Sequence, residues 1–136
     1  MDEIKYEISQ RNNGTIIRCS AKLDDSKEVC ECQLSVEPDN TWTISSWFTK
    51  NGYGGKGIGK STMNKLFAYV AQTHGIPEKI EYIWNGTNRY VLKWLERNFD
   101  AICTCPIAVQ KLMTEDDWSA HVYALDTKKV LNYFGL

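Results

Sequence analysis

The chain has 136 residues, which suits one domain spanning residues 1–136. Its 43% hydrophobic and 24% charged residues are typical of a folded globular protein and argue against a disordered chain. Lys and Arg number 16 against 17 Asp and Glu, so the formal net charge is −1. No overall positive field therefore favours binding to nucleic acid or to an anionic membrane surface.

The sequence also bears on compartment and thiol chemistry. The longest apolar run, Leu66 to Ala71, is far shorter than the roughly 20 residues that cross a bilayer. The acidic, alternating N-terminus is unlike a signal peptide. We therefore expect a cytoplasmic protein that does not contact a membrane. Its five cysteines are then expected to be reduced thiols rather than a disulfide framework.

The first third of the chain predicts strands. Apolar and polar residues alternate from Ile4 to Ile8, from Ile17 to Leu23 and from Cys30 to Val36, with turn sequences between, which predicts an antiparallel meander. A fourth strand, Thr41 to Thr49, follows. Ser45-Ser46 puts one extra residue into its alternation, which predicts a β-bulge of the kind often found beside a site.

The middle of the chain predicts a helix and a strand. Apolar residues recur at helical spacing from Ser61 to His74, Gly75 is placed to end that helix, and Pro77 prevents it from resuming. Lys79 to Trp84 then alternates as a strand.

The last third predicts a second helix and two more strands. The helix carries Val91, Leu92 and Leu95, with Thr87 or Asn88 as its cap and Asn98 as a left-handed residue at its end. Strands are predicted over Ala101–Val109 and Ala120–Asp126, and a short helix over 127–136. The order of elements is that of one α+β domain.

The glycine-rich segment after the fourth strand matches two phosphate-binding patterns. One is the Walker A loop, G-x-x-x-x-G-K-[ST], which Gly54, Gly59, Lys60 and Ser61 satisfy. There the amides cradle phosphates, the lysine reaches the terminal phosphates, and the hydroxyl holds Mg²⁺. A Walker A loop follows a buried parallel strand, whereas polar residues and a meander precede this one. This context disfavours a nucleotide-binding P-loop, which stays open as an alternative.

The same segment resembles the loop of the GNAT family of N-acetyltransferases, in which a strand leads into [RQ]-x-x-G-x-[GA] and then a helix. The run from Tyr53 to Gly59 is similar to the family's Y-R-G-K-G-I-G, with Gly54 in the place of Arg or Gln. The resemblance implies that the loop amides and the helix start bind the diphosphate of acetyl-coenzyme A. Unpaired N–H groups and the positive end of the helix dipole provide the attraction, and glycines leave room for it.

A second segment, Asn88 to Phe99, resembles the family's N-x-x-[AV]-x-x-[LW]-Y-E-K-x-G-F helix, one residue shorter. The resemblance covers roughly Thr41 to Phe99. It implies one GNAT-like α+β domain, with a mixed, mostly antiparallel sheet, a bulged fourth strand and helices packed on it. The two helices that usually follow the family's first strand find no room in this sequence.

The resemblance implies transfer of an acetyl group from acetyl-CoA, as co-substrate, to an amine on a small molecule, a protein or a peptide. A nucleic-acid partner is not expected, and a monomer or a dimer stays open. The implied cofactor-binding residues are Trp47, Phe48, Thr49, Gly54, Gly55, Lys56, Gly57, Ile58, Gly59, Lys60, Ser61 and Asn88.

The catalytic residues are less defined. A backbone N–H near Trp47 or Phe48 is the candidate for stabilising the oxyanion. Leu95 stands where the family often has a tyrosine acid, and sliding the one-residue gap puts Trp94 there instead; neither can donate a hydroxyl proton. The candidate proton donors are Tyr90 and Tyr123. Glu81 and His121 are candidate bases, but no base is assigned, because ordered water suffices in many members of the family. A thiolate can also leave without an acid. A non-catalytic module that binds CoA is therefore the second interpretation.

Two C-x-C pairs raise the question of zinc, because four thiolates can bind Zn²⁺. They are Cys30 with Cys32 and Cys103 with Cys105. Thiols at i and i+2 of a strand lie roughly 6–7 Å apart, which is too wide for one metal ion. We therefore expect no metal, and we expect Cys30 and Cys32 to pack in the core.

Overall fold

The computed structural model describes residues 3–24, 27–84, 89–104 and 121–136. Within these residues the chain forms seven strands and three helices in an α+β arrangement. The strands are β1 (Ile4–Arg11), β2 (Ile16–Leu23), β3 (Lys27–Val36), β4 (Thr41–Thr49), β5 (Lys79–Trp84), β6 (Ile102–Cys103) and β7 (His121–Leu125). The helices are α1 (Ile58–His74), α2 (Arg89–Phe99) and α3 (Thr127–Tyr133).

One mixed sheet, with strand order β1-β2-β3-β4-β5-β7-β6, contains all of these strands. The predicted antiparallel meander is confirmed: β1 pairs with β2, β2 with β3 and β3 with β4, all antiparallel. The β1–β2 turn is tight, with Asn12, Asn13 and Gly14 at positive φ. No helix follows β1, as the sequence predicts.

The bulge predicted in β4 is confirmed. Gln33 pairs with Ser46 and Leu34 with Ile44, so Ser45 is the extra residue. A second bulge occurs in β3, where Ala21 pairs with Cys30 and Lys22 with Glu28. The sequence did not predict this bulge, because its extra residue, Val29, is apolar and disturbs no obvious alternation.

The bulge in β4 shifts the alternation of its residues at the point where β4 stops pairing with its parallel neighbour β5. The two strands pair only where Thr41–Ile44 lies beside Lys79–Tyr82. Beyond Ile44 no residue of β5 pairs with β4 in the described structure. A gap therefore opens between the last five residues of β4 and the end of β5.

The core lies between the helices and one face of the sheet. Phe67 of α1 packs on Trp42 with ring centroids 5.4 Å apart, and Trp94 of α2 packs edge-on against Trp47 at 5.5 Å. Phe134, directly after α3, contacts Phe67 at 5.0 Å. The opposite face of β1–β3 carries ion pairs, among them Arg18 with Glu31 at 3.1 Å.

Helix α1 begins three residues before the predicted Ser61, because Gly57 takes a left-handed conformation (φ 77°) and starts the helix at Ile58. Its end agrees with the prediction: Gly75 has φ 82°, and its N–H donates to Ala71 O at 2.9 Å. None of the helices in the described ranges is both long and apolar enough to cross a membrane.

The predicted end of α2 is wrong by two residues. Asn98 stays inside the helix and donates from Nδ2 to Trp94 O at 2.8 Å. The left-handed residue is Asp100 (φ 53°), because the helix continues until the buried Phe99 reaches the core. The predicted caps, Thr87 and Asn88, lie outside the described residues.

The last elements are shorter than predicted. Strand β6 contains only Ile102 and Cys103, and residues 105–109 of the predicted strand lie outside the described residues. Strand β7 ends at Leu125 because Asp126 caps α3, where its side chain accepts a hydrogen bond from Lys129 N at 3.1 Å. Helix α3 confirms the short helix predicted in the tail.

Phe134 connects this core to the C-terminal segment, so its removal should destabilise the fold. Its ring lies 5.0 Å from Phe67, 6.3 Å from Phe99 and 6.5 Å from Trp47, and the side chain is buried. We expect Phe134→Ala to lower the free energy of unfolding by about 3–5 kcal/mol, measured by urea denaturation. Ile102→Ala, at a strand residue 66% exposed, should change it by less than about 0.5 kcal/mol. Equal effects of the two variants would contradict this account of the core.

Candidate functional site

The glycine loop leads from β4 into α1 and leaves a row of backbone amides unpaired. Gly55 and Gly57 both have positive φ, 75° and 77°. The first helical hydrogen bond runs from Ser61 N to Gly57 O at 3.0 Å. In the described part of the chain, no backbone hydrogen bond uses an amide from 54 to 60 as its donor. These donors and the positive end of the α1 dipole together suit an anion.

Two glycines of the loop have different reasons to be glycine. Position 57 requires a residue that tolerates positive φ, although a Cβ there would meet only open space. Gly59 instead lies against β4, where a Cβ would come within 3.0 Å of Thr49 Oγ1. Its carbonyl accepts a hydrogen bond from Trp47 Nε1 at 3.1 Å, which holds the helix start against the bulged strand.

A cleft of about 280 Å³ opens beside these amides and continues into a second part of about 430 Å³. Its walls are the end of β4, the loop, the start of α1 and the first turns of α2. The two parts share Trp47, Thr49, Gly54, Tyr90 and Val91, so they adjoin each other along this wall. This is a size and shape that suits an elongated ligand.

Most residues predicted to bind a cofactor line this cleft. They are Trp47, Thr49, Gly54, Gly55, Gly57, Ile58, Gly59 and Lys60 in the first part, with Phe48 in the second. Lys56 and Ser61 line neither part, although both lie beside it. The Ser61 hydroxyl is hydrogen-bonded to Tyr6 Oη at 2.5 Å. Asn88 lies outside the described residues.

The structure adds lining residues that the sequence analysis did not assign. Tyr53, Val91, Trp94 and Tyr133 all line the first part of the cleft. Tyr53 belongs to the loop motif and Trp94 to the second motif, Asn88 to Phe99, so the local sequence carries some signal for both. Tyr133 carried none, because it reaches the cleft only when α3 folds back against α2.

The cleft has a positive side and no carboxylate among its described lining residues. Lys60 is the charged side chain that lines it, with Nζ 4.4 Å from the centroid of the Tyr133 ring. At the rim, the Tyr53 ring lies 5.1 Å from Lys27 Nζ and 5.7 Å from Lys56 Nζ. A hydrogen bond to Tyr53 raises the pKa of Lys27. Lys60 thus lines the cleft, and Lys27 and Lys56 lie beside the Tyr53 ring at its rim.

The four candidate catalytic side chains are distributed unevenly. Tyr90, 76% exposed, lines both parts of the cleft. Tyr123 and Glu81 lie on β7 and β5 and line neither part. His121 is buried, with its ring 6.1 Å from that of Trp84. Of the four candidates, the structure therefore brings only Tyr90 to the cleft.

The second helix also shows which residue replaces the family's tyrosine. Leu95 is fully buried in the core, whereas Trp94 lines the cleft. Neither side chain carries a hydroxyl that could protonate a leaving thiolate. Among the α2 residues that line the cleft, Tyr90 supplies the hydroxyl.

The thiols of β2 and β3 lie behind the cleft wall. Cys30 accepts a hydrogen bond from Thr49 Oγ1 at 3.5 Å. Hydrogen bonds from Cys32, and then from Thr49 and Thr62, outweigh burial and lower the pKa of Cys30 to about 6. Burial raises the pKa of Cys19 to about 11 and also raises that of Cys32.

No group of three metal-ligating side chains occurs among the residues that the structure describes, and Cys105 lies outside them. Cys30 and Cys32 are buried in the core, as the sequence predicts.

Two observations weigh against a Walker A site. The Ser61 hydroxyl, which would hold Mg²⁺, is bonded to Tyr6. The preceding strand pairs antiparallel with β3 and meets β5 in parallel over four residues only.

No protein-family model matches this sequence, and no curated protein matches it. Solved structures do resemble the fold. A Klebsiella pneumoniae subsp. pneumoniae MGH 78578 protein assigned as an acyl-CoA N-acyltransferase has a TM-score of 0.62 at 12% identity, over 85% of this chain and 75% of the other.

Two further structures were solved with a coenzyme bound. A Bacillus anthracis str. Ames protein assigned as a streptothricin acetyltransferase, in complex with acetyl coenzyme A, has a TM-score of 0.59 at 16% identity. The PaiA N-acetyltransferase of Thermoplasma acidophilum, in complex with coenzyme A, has a TM-score of 0.58 at 14% identity. The alignments cover 82% and 83% of this chain but only 62% of each of those chains.

At these identities the similarity shows the fold: the chain has the fold of GNAT acetyltransferases, a mixed seven-stranded sheet with helices packed on it.

The loop geometry predicts an anion site that a negative charge at Gly57 should destroy. We expect inorganic diphosphate to shift the amide NMR signals of Gly57 to Lys60, and Gly57→Glu to abolish these shifts by charge repulsion. Gly52→Glu is the control, because Gly52 also has positive φ (93°) in open space but lines neither part of the cleft. Shifts that persist in Gly57→Glu would place the anion elsewhere.

Proposed function

We propose that this chain binds acetyl-CoA in the cleft and transfers its acetyl group to an amine. The observation that carries the proposal is the pair of adjoining depressions beside the unpaired loop amides and the end of β4, where β4 has no pairing partner in β5 beyond Ile44. The proteins of similar fold that were solved with acetyl coenzyme A and coenzyme A support it.

The diphosphate of the coenzyme would bind at the start of α1. The amides between Gly54 and Lys60 are free to donate, and the surrounding lysines offset the charge of the ligand. Positive φ at Gly55 and Gly57 turns the chain around that position.

The pantetheine arm would follow β4. Alternate amides and carbonyls of β4 point away from β3. Between Ser45 and Thr49 they meet no pairing residue of β5. An extended arm with two amide groups can add to this edge as a strand would. The thioester would then lie near the bulge at Ser45, between β4 and β5.

The chemistry there is direct aminolysis. The amine lone pair attacks the thioester carbonyl carbon, the carbon–oxygen π electrons move to oxygen, and the tetrahedral intermediate expels the thiolate as the carbon–sulfur bond breaks. A backbone N–H near Trp47 or Phe48 would stabilise the oxyanion. The ammonium proton passes to water or a base, and the thiolate takes a proton from an acid or from solvent.

Tyr90 is our choice for the residue that protonates the leaving thiolate. It is the hydroxyl of α2 that lines both parts of the cleft. A thiol pKa near 8.5 makes the thiolate a moderate leaving group that needs limited assistance.

The acceptor is an amine of a small molecule, a protein or a peptide. Glu81 is the candidate base for the acceptor amine. It lies on β5, where it pairs with Thr43 and Ala124, and it is on the sheet face opposite the helices. From that face it can receive a proton through water.

A second candidate function is coenzyme binding without transfer. The observation that favours it is the substitution of the expected tyrosine by buried Leu95, which leaves the exposed Tyr90 as the hydroxyl on α2. Turnover distinguishes the two functions.

Binding and turnover test the proposal directly. Acetyl-CoA and CoA, each at about 100 times Kd, should raise Tm by about 5–10 °C, whereas ATP with Mg²⁺ should not. An amine panel should show release of free thiol with at least one acceptor. Stabilisation by ATP with Mg²⁺ alone would instead support the P-loop alternative. Coenzyme binding without turnover would support the non-catalytic module.

Tyr90→Phe tests the proton donor. We expect kcat to fall by about tenfold with the Kd for CoA unchanged, because the ring stays and only the hydroxyl is lost. Tyr123→Phe is the control, since Tyr123 does not line the cleft. An unchanged kcat in Tyr90→Phe would remove Tyr90 from the mechanism and leave the thiolate to depart unassisted.

A further inference from the structure

We propose that Tyr133 positions the Lys60 ammonium to bind the coenzyme diphosphate, so that α3 forms part of the ligand site. This inference rests on the proposed function and deepens it. It assigns the diphosphate contact to a lysine and an aromatic ring 73 residues apart in sequence, in a cleft whose loop glycines supply no side chain.

The first argument concerns the charge of Lys60. It is the charged side chain among the described residues that line the cleft, and no salt bridge within the described structure engages it. It sits in the first turn of α1, which contains no acidic residue. A positive charge at the positive end of a helix dipole is unfavourable by itself. An anion bound at the same helix start would be attracted to both the lysine and the dipole, which offsets this repulsion.

The second argument concerns the rigidity of Tyr133. Three rings meet it edge-on: Trp94 at 5.5 Å, Phe99 at 5.4 Å and Phe134 at 5.0 Å, with interplanar angles of 80°, 81° and 77°. These three contacts restrict the orientation of the tyrosine ring, which is 38% exposed. Its face lies under Lys60 Nζ at 4.4 Å, within the range of a cation–π interaction.

The energetic consequence is preorganisation. A lysine side chain loses rotamer freedom when its ammonium is held at a ligand. Contact with a fixed ring restricts Lys60 before the ligand arrives, and the ammonium still keeps N–H groups free for phosphate oxygens. The ring therefore lowers the entropic cost of the contact without neutralising the charge.

The chain offers a matched control on the same helix. Lys65 Nζ lies 5.6 Å from the centroid of the Tyr6 ring, another lysine–tyrosine pair. Lys65 is exposed and lines neither part of the cleft. Removing its charge changes the net charge of α1 by the same amount as removing that of Lys60.

The experiment measures Kd for CoA, dephospho-CoA and pantetheine through the fluorescence of the cleft residues Trp47 and Trp94. Lys60→Met should weaken CoA and dephospho-CoA by about tenfold each and leave pantetheine, which has no diphosphate, unchanged. Tyr133→Leu should weaken the two diphosphate ligands by about threefold, whereas Tyr133→Phe, which keeps the ring face, should not. Lys65→Met should match the wild type throughout.

A readout on the free protein keeps the role of Tyr133 testable even if Tyr133→Leu fails to fold. The Lys60 ε-methylene protons should show an upfield ring-current shift in the wild type and in Tyr133→Phe. A wild-type spectrum without that shift would overturn the positioning role.

The remaining outcomes separate this inference from the proposed function. CoA binding by Lys60→Met at wild-type affinity would overturn the inference alone. A loss confined to CoA, with dephospho-CoA unaffected, would also overturn it by placing Lys60 on the 3′-phosphate. A wild-type chain that binds none of the three ligands would overturn both.

Discussion

The site depends on one interruption of strand pairing. Strand β4 is antiparallel to β3 along nearly its whole length but stays beside β5 for only four residues. Because Ser45 adds a residue to β4 alone, the phase of the strand changes where the pairing ends. In an uninterrupted sheet this edge would be occupied by β5 and closed to any ligand. The bulge keeps the strand anchored on one side and leaves its other edge open beside the helix start.

The aromatic core fixes the position of that helix start. Trp47 follows the bulge, donates from its indole N–H to the Gly59 carbonyl, and packs against Trp94. Trp47, which lines the cleft, thus also contacts the glycine loop and α2 and holds them in place. Phe134 extends the same cluster to the C-terminal segment, and Asn64 Nδ2 donates to its carbonyl at 3.3 Å. Core stability and site geometry therefore rest on many of the same contacts.

Local patterns predicted most of the framework and the loop, since alternation, helical periodicity and glycine spacing are properties of neighbouring residues. The bulge at Ser45 was predicted because Ile44 and Trp47 are large and must share a face. The bulge at Val29 was missed because an apolar insertion leaves no break in polarity. The end of α2 was wrong because burial of Phe99, a tertiary effect, prevailed over the turn preference of Asn98. Tyr133 was missed because only the packing of α3 brings it to the cleft.

No helix lies between β1 and β2 in the described chain. The described helices all pack on one face of the sheet, and that face bears the loop and the cleft. The opposite face of β1–β3 carries Arg18 paired with Glu28 and Glu31, and Lys22 paired with Glu7, groups that are compensated where they stand. In the described structure the loop amides and the cleft therefore lie on the helix-covered face, while these charged groups of the opposite face are paired with one another. Under the proposed function, positioning of the thioester carbonyl in the cleft would supply much of the rate, and an amine would need little more than access to it.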